Sequence, residues 1–181
     1  MRLQTKRIGS ALAVAGIIAL AGCQQQANEN ASGAGEAQLP ISINAVMVST
    51  VDHASDYMFA IGNGDVPKSD HDWYLVENSA YETMLAGKVI QFVGTGPNDA
   101  KWVADPEWKQ LADQLTSLGQ EGVDLAKARN TDQKTWMDLG NRLVEDCLAC
   151  HMKFKPEIPS EGILHESTAR ESEGKSVFSG D

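Results

Sequence analysis

Cys147-Leu148-Ala149-Cys150-His151 is the run in this chain whose residue types and spacing specify a chemistry. Two thiols three residues apart lie about one helical turn from each other. They can therefore reach the two vinyl groups on one edge of a porphyrin, and the imidazole that follows can turn onto the iron from one face. The run is the attachment pattern of a c-type haem, with Cys147 and Cys150 as thioether bonds and His151 as proximal iron ligand. Two other chemistries use Cys-x-x-Cys. A dithiol redox site sits at a helix N-terminus, where the dipole lowers the thiol pKa; here the apolar pattern continues for three turns upstream, which sets Cys147 deep in a helix. A structural zinc site takes four ligands, and His53, His71 and His165 are scattered without metal-ligand spacing. One covalently bound haem is the expected cofactor.

The start of the chain bears on where this chemistry happens. Arg2, Lys6 and Arg7 precede an apolar run from Ile8 to Leu20. That run is short for a spanning helix, which takes about 20 apolar residues, and it reads as a secretory signal over residues 1–22. Leu20-Ala21-Gly22-Cys23 resembles the bacterial lipoprotein box, a likeness that implies Cys23 is the lipidated first residue of the exported chain. An ordinary signal peptide cut near Ala21 or Gly22 is the alternative. Gln24 in place of Asp resembles outer-membrane sorting. The expected location is the periplasm, with a lipid anchor in the outer membrane. The chain has three cysteines, and a leftover thiol in an exported protein needs explaining. Lipid on Cys23 and haem on Cys147 and Cys150 account for all of them. Export also agrees with haem attachment, which bacteria carry out outside the cytoplasm.

Charge narrows the partners. The signal holds three of the 15 Lys and Arg and none of the 25 Asp and Glu. The exported chain thus carries 12 against 25, a formal charge of −13. Such a surface argues against nucleic acid and against anionic lipid as a binding face. It favours a basic redox partner protein, although acidity also serves plain solubility.

Stepping along the chain, residues 23–38 lack the aromatic and β-branched residues a core requires and read as a flexible tether. Residues 166–181 are polar, with Ser and Gly, and read as a loose tail. Between them, residues 39–165 are enough for one domain. Four segments show helical periodicity. The first runs from about Pro40 to Ile61, with Ile43, Met47, Thr50, Ala54, Met58 and Ile61 on one face. The second runs from about Asp70, read as its N-cap, to Gln91, with Trp73, Val76, Ala80, Met84 and Gly87 aligned. The third opens with Asp105-Pro106-Glu107, an N-cap followed by proline at the first helical position, and buries Trp108, Leu111, Leu115, Leu118 and Leu125. The fourth starts near Thr131 or Asp132, aligns Trp136, Leu139, Leu143, Cys147, Cys150 and Phe154, and ends at Pro156. The intervening stretch from Phe92 to Ala104 contains Gly94-Thr95-Gly96-Pro97 and reads as a turn-rich crossover rather than a nucleotide loop. No stretch alternates as a strand. The expected fold is all-α, an antiparallel four-helix bundle.

A C-terminal helix bearing Cys147-Leu148-Ala149-Cys150-His151, followed by Phe154-Lys155, resembles the class II cytochromes c, the cytochrome c′ type. The likeness covers about residues 39–155, and its specific motif is confined to the last helix. It implies a haem with its distal face against the first helix, where some members place a Met ligand and others leave the iron open behind an apolar residue. Met47 lies close to that place and is the candidate distal ligand. Met58 and Met84 are the other methionines on apolar stripes, and all three could be core packing. His53 falls on the opposite side of the helix from Met47. A His/Met site transfers electrons and raises the potential, whereas an open site binds small gases such as NO or CO. The chain is expected to be an electron-transfer protein, with a gas-binding module as the alternative. No acid–base dyad, nucleophile or substrate pocket accompanies the motif, so no enzymatic activity is expected. Trp73, Trp108 and Trp136 read as core or haem-lining residues, Trp102 as a loop residue able to fold over them, and Lys153, Lys155 and Arg142 as cations within reach of haem propionates. The resemblance also makes a homodimer an option.

Overall fold

The computed structural model describes residues 37–155 and 176–178. The expected signal segment, the lipidation candidate Cys23, most of the tether, His165 and Pro156 lie outside the described residues. The described residues are helical, with no strand among them, and none of their helices is long and apolar enough to cross a membrane.

α1 (Ile43–Val46) starts at Ser42, whose side chain accepts from the Ala45 amide at 3.1 Å, satisfying one of the amides a helix start leaves unpaired. It passes through a π-helical turn (Met47–Val51) into α2 (Asp52–Gly62), so the three form one long helix. The π turn, which holds one residue more than an α turn, resets the buried face. Val51 is buried where the 3.6-residue period points to Thr50, which is only half-buried. Ile43, Ala54, Met58 and Ile61 are buried as expected.

α3 (Asp70–Val89) is capped one residue earlier than expected, at Ser69 rather than Asp70. Ser69 holds the N-cap position in a capping box with Asp72, whose Oδ2 accepts from the Ser69 amide at 2.9 Å. Ser69 accepts in turn from the Asp72 amide at 3.1 Å, which leaves Asp70 as the first helical residue. α5 (Pro106–Lys127) and α6 (Gln133–Phe154) start as read from sequence. Asp105 accepts from the Glu107 amide at 2.9 Å, and Asp132 from the Thr135 amide at 3.0 Å.

The crossover at 92–104 is more ordered than a turn-rich loop. It contains a short helix, α4 (Asp99–Val103). Its hub is the buried Asp99 carboxylate, whose Oδ2 accepts from the Ile43 amide at 2.9 Å and the Gly96 amide at 2.8 Å. Gly94 and Gly96 owe their identity to this hub, since a Cβ on either would lie 2.4 Å from an Asp99 carboxylate oxygen. The glycines thus serve close packing of a side chain within the protein.

α3 packs on α5, α5 on α6, α6 on α2, and α2 on α3. Pairwise contacts run in opposite senses along neighbouring helices. Arg142 pairs with Glu121, and Lys153 further along α6 pairs with Glu107 at the start of α5. Likewise Gly62 abuts Met137 while Gly140 abuts Phe59. The α3–α5 seam is the closest, because a Cβ on Gly119 would come within 2.4 Å of the Met84 amide nitrogen. Trp136, Met58, Ile61, Leu139, Leu143, Val76 and Val123 fill the middle of the molecule. Each such side chain contributes roughly 1.5–3 kcal/mol by leaving water.

Within the tail expected to be loose, residues 176–178 are seated. Ser176 Oγ donates to Asp65 Oδ1 and the Val177 amide to Asp65 Oδ2, both at 2.7 Å, while the Phe178 ring lies 5.9 Å from that of Tyr57.

Candidate functional site

α6 carries Cys147, Cys150 and His151 along one side, and the first long helix carries Met47 in its π turn. All four line one cavity of about 460 Å³, within the range of small-molecule and cofactor pockets, about 300–1,000 Å³. Ile43, Val48, Val51 and Phe59 extend the wall from the first helix, and Val144 and Phe154 extend it from α6. Trp102, Trp108 and Ile90 close another side. Trp102 of α4 stacks on Trp108 of α5 with centroids 5.4 Å apart and planes 18° from parallel, and Trp108 meets Phe154 edge-on at 5.0 Å. Trp108 is held by its indole N–H, which donates to the Ile90 carbonyl at 2.8 Å. Buried Asp99, by fixing the crossover, thereby fixes an aromatic wall of the cavity.

Electrostatics separate the chemistries open to the two cysteines. Burial first, and the neighbouring Asp146 second, push both thiols up to about 12. A dithiol exchanger requires the opposite, a stabilised thiolate. Among the described residues no three His, Cys, Asp or Glu side chains converge to hold a metal ion, so zinc lacks a protein ligand set there. The donor set does fit a haem c. It offers two thiols and an adjoining imidazole on one helix, a thioether on another, and mainly apolar and aromatic walls between.

Among the methionines of the described residues, Met47 alone lines the cavity. Met58 is buried beneath Gly122, and the backbone and Cβ of Met84 press on Gly119. His53 is exposed and meets the Tyr57 ring edge-on at 5.8 Å, and His71 is exposed beside Tyr74. Among the three cations, Arg142 forms a two-pronged pair with Glu121 at 2.9 and 2.5 Å, and Lys153 pairs with Asp105 at 2.9 Å and Glu107 at 2.6 Å. Lys155 lines the cavity and donates to the Asn44 side chain, itself a lining residue. Trp73 and Trp136 are core residues away from the cavity lining, whereas Trp102 and Trp108 belong to it.

Asp146 is the site residue that the periodicity reading passed over. It shares a stripe with Leu139, Leu143 and Cys150, is 4 % exposed, and its Oδ1 has no hydrogen-bond partner among the described residues. Burial pushes its carboxyl up to about 7. A charged residue in step with an apolar stripe was the available signal.

No family profile matches the chain, and neither a curated protein nor a solved structure is significantly similar to it.

Proposed function

We propose that this chain is an exported, single-haem c-type cytochrome that moves electrons one at a time, built as an antiparallel four-helix bundle of the cytochrome c′ type. The observation that carries the reading is the shared cavity of Cys147, Cys150, His151 and Met47. The cyclic packing order of the long helices and their opposed directions support the bundle. When bound, haem c supplies an iron centre that cycles between ferric and ferrous states. Cys147 and Cys150 would hold the group through thioethers, and His151 would bind its iron. Met47 would supply a second iron ligand, a thioether sulfur of the kind that favours reduced iron. Trp102, Trp108 and Phe154 exclude water from one flank, and Lys155 with Asn44 takes a propionate. A lipid on Cys23 tethers the domain to the periplasmic face of the outer membrane, and the acidic surface meets a basic redox partner.

Absorption spectra of the oxidised and reduced protein, with and without carbon monoxide, test this reading. A low-spin reduced spectrum that resists carbon monoxide agrees with it. A high-spin reduced spectrum and prompt carbon monoxide binding would assign the same fold to gas binding, with Met47 as a pocket residue.

A further inference from the structure

Asp146 is a buried acid that the proposed iron ligation does not use. It lines a small cavity of about 30 Å³ together with Cys147, Cys150, His151 and Met47. The wall that α5 presents to it consists of Trp108, Leu111, Ala112 and Leu115, none of which titrates. Ile90 completes the lining, and the titratable neighbours are the two cysteines and the histidine of its own helix. No salt bridge involves Asp146 among the described residues, and its Oδ1 accepts no hydrogen bond there. A core position in step with Leu139 and Leu143 would be filled at lower cost by an apolar residue, because an unpaired buried carboxylate is expensive. Its place beside both haem-bonding cysteines gives it a consequence elsewhere.

Resting on the cytochrome reading, we infer that Asp146, whenever its carboxyl is ionised, lowers the reduction potential of the haem by holding an uncompensated negative charge beside it. Uptake of one electron from a donor protein removes one unit of positive charge from the iron and leaves every bond of Asp146 intact. A carboxylate in a low-dielectric setting favours the more positive ferric state, and its influence is much larger there than in water. Asp146 therefore opposes Met47. The thioether raises the potential and the carboxylate lowers it, which places the carrier between the two limits.

The test is a spectroelectrochemical titration of the full-length haem-loaded chain at pH 8.5, comparing the native protein with Asp146→Asn, Asp146→Leu and Asp146→Glu. Asp146→Asn and Asp146→Leu should shift the midpoint potential upward, read as a several-fold larger reduced fraction at a fixed electrode potential, with the spectrum unchanged. Asp146→Glu should restore a value near the native one. A midpoint that stays at the native value in any neutral variant retaining haem would overturn the inference. Native protein without haem would instead overturn the cytochrome reading beneath it.

Discussion

Met47 and His151 line one cavity from two different helices, Met47 in the π turn between α1 and α2 and His151 in the last turn of α6. π turns are rare and concentrate at functional sites, and this one supplies Met47, Val48 and Val51 to the cavity wall. The extra residue resets the helix face at the point where Met47 reaches the cavity.

Replacing Met47 by Ala should open the sixth iron position. The reduced protein should become high-spin, bind carbon monoxide and show a lower potential, since the thioether no longer favours ferrous iron. Met58→Leu, a volume-conserving change beneath Gly122, should leave the spectrum unaltered and cost less than about 1.5 kcal/mol. An unchanged spectrum in the Met47 variant would remove Met47 from the ligand set.

Asp146 predicts a particular pH dependence of stability. Its carboxyl stands at about 7 in the fold against an ordinary 3.8, so the folded state holds a proton that the unfolded chain has released. Its contribution is full below pH 3.8 and falls as pH rises to about 7, then stays flat. The slope is about 1.4 kcal/mol per pH unit within that window. Urea unfolding at pH 4.5 and pH 8 should show a smaller loss in Asp146→Asn than in the native chain. Equal losses would remove Asp146 as the source.

Surface and core should differ sharply. Arg142 and Glu121 form a two-pronged pair, but their side chains are 45 % and 39 % exposed. Arg142→Ala should therefore cost no more than about 1 kcal/mol. Trp136 is fully buried, and its indole donates to the Asn130 carbonyl at 2.7 Å. Trp136→Ala should cost about 3–5 kcal/mol. Chemical denaturation of both variants measures the contrast.

The α3–α5 seam gives a test of packing alone. A Cβ at Gly119 meets the Met84 backbone at 2.4 and 2.6 Å, and backbone cannot rotate away. Gly119→Ala should push the helices apart and destabilise by about 1–3 kcal/mol, despite the better helix propensity of alanine. A neutral or stabilising result in thermal unfolding would show that the seam yields easily.

Local signals account for what could be read from sequence. Asp105, Pro106 and Asp132 announce helix starts because a cap acts within one turn, and Cys147, Cys150 and His151 fall on one element, so their spacing alone carries the motif. The misread features depend on other parts of the chain or on a changed period. A 3.6-residue period points to Thr50 on the buried face, because it has no place for the π turn that buries Val51 instead. Ser69 and Asp70 are both residue types that can cap, and reciprocal bonding with Asp72 makes Ser69 the cap. The crossover reads as loop until Asp99 is seen gathering amides from Ile43 and Gly96, and residue 43 is far from residue 99 in the chain. The seating of residues 176–178 on Asp65 is likewise invisible to composition.

Haem staining and intact mass of the denatured, full-length protein exported from a host with haem-attachment machinery test the central claim most directly. One haem should remain bound after denaturation and disappear when Cys147 and Cys150 are both replaced by Ser. A colourless native chain with two reactive thiols at those positions would contradict it.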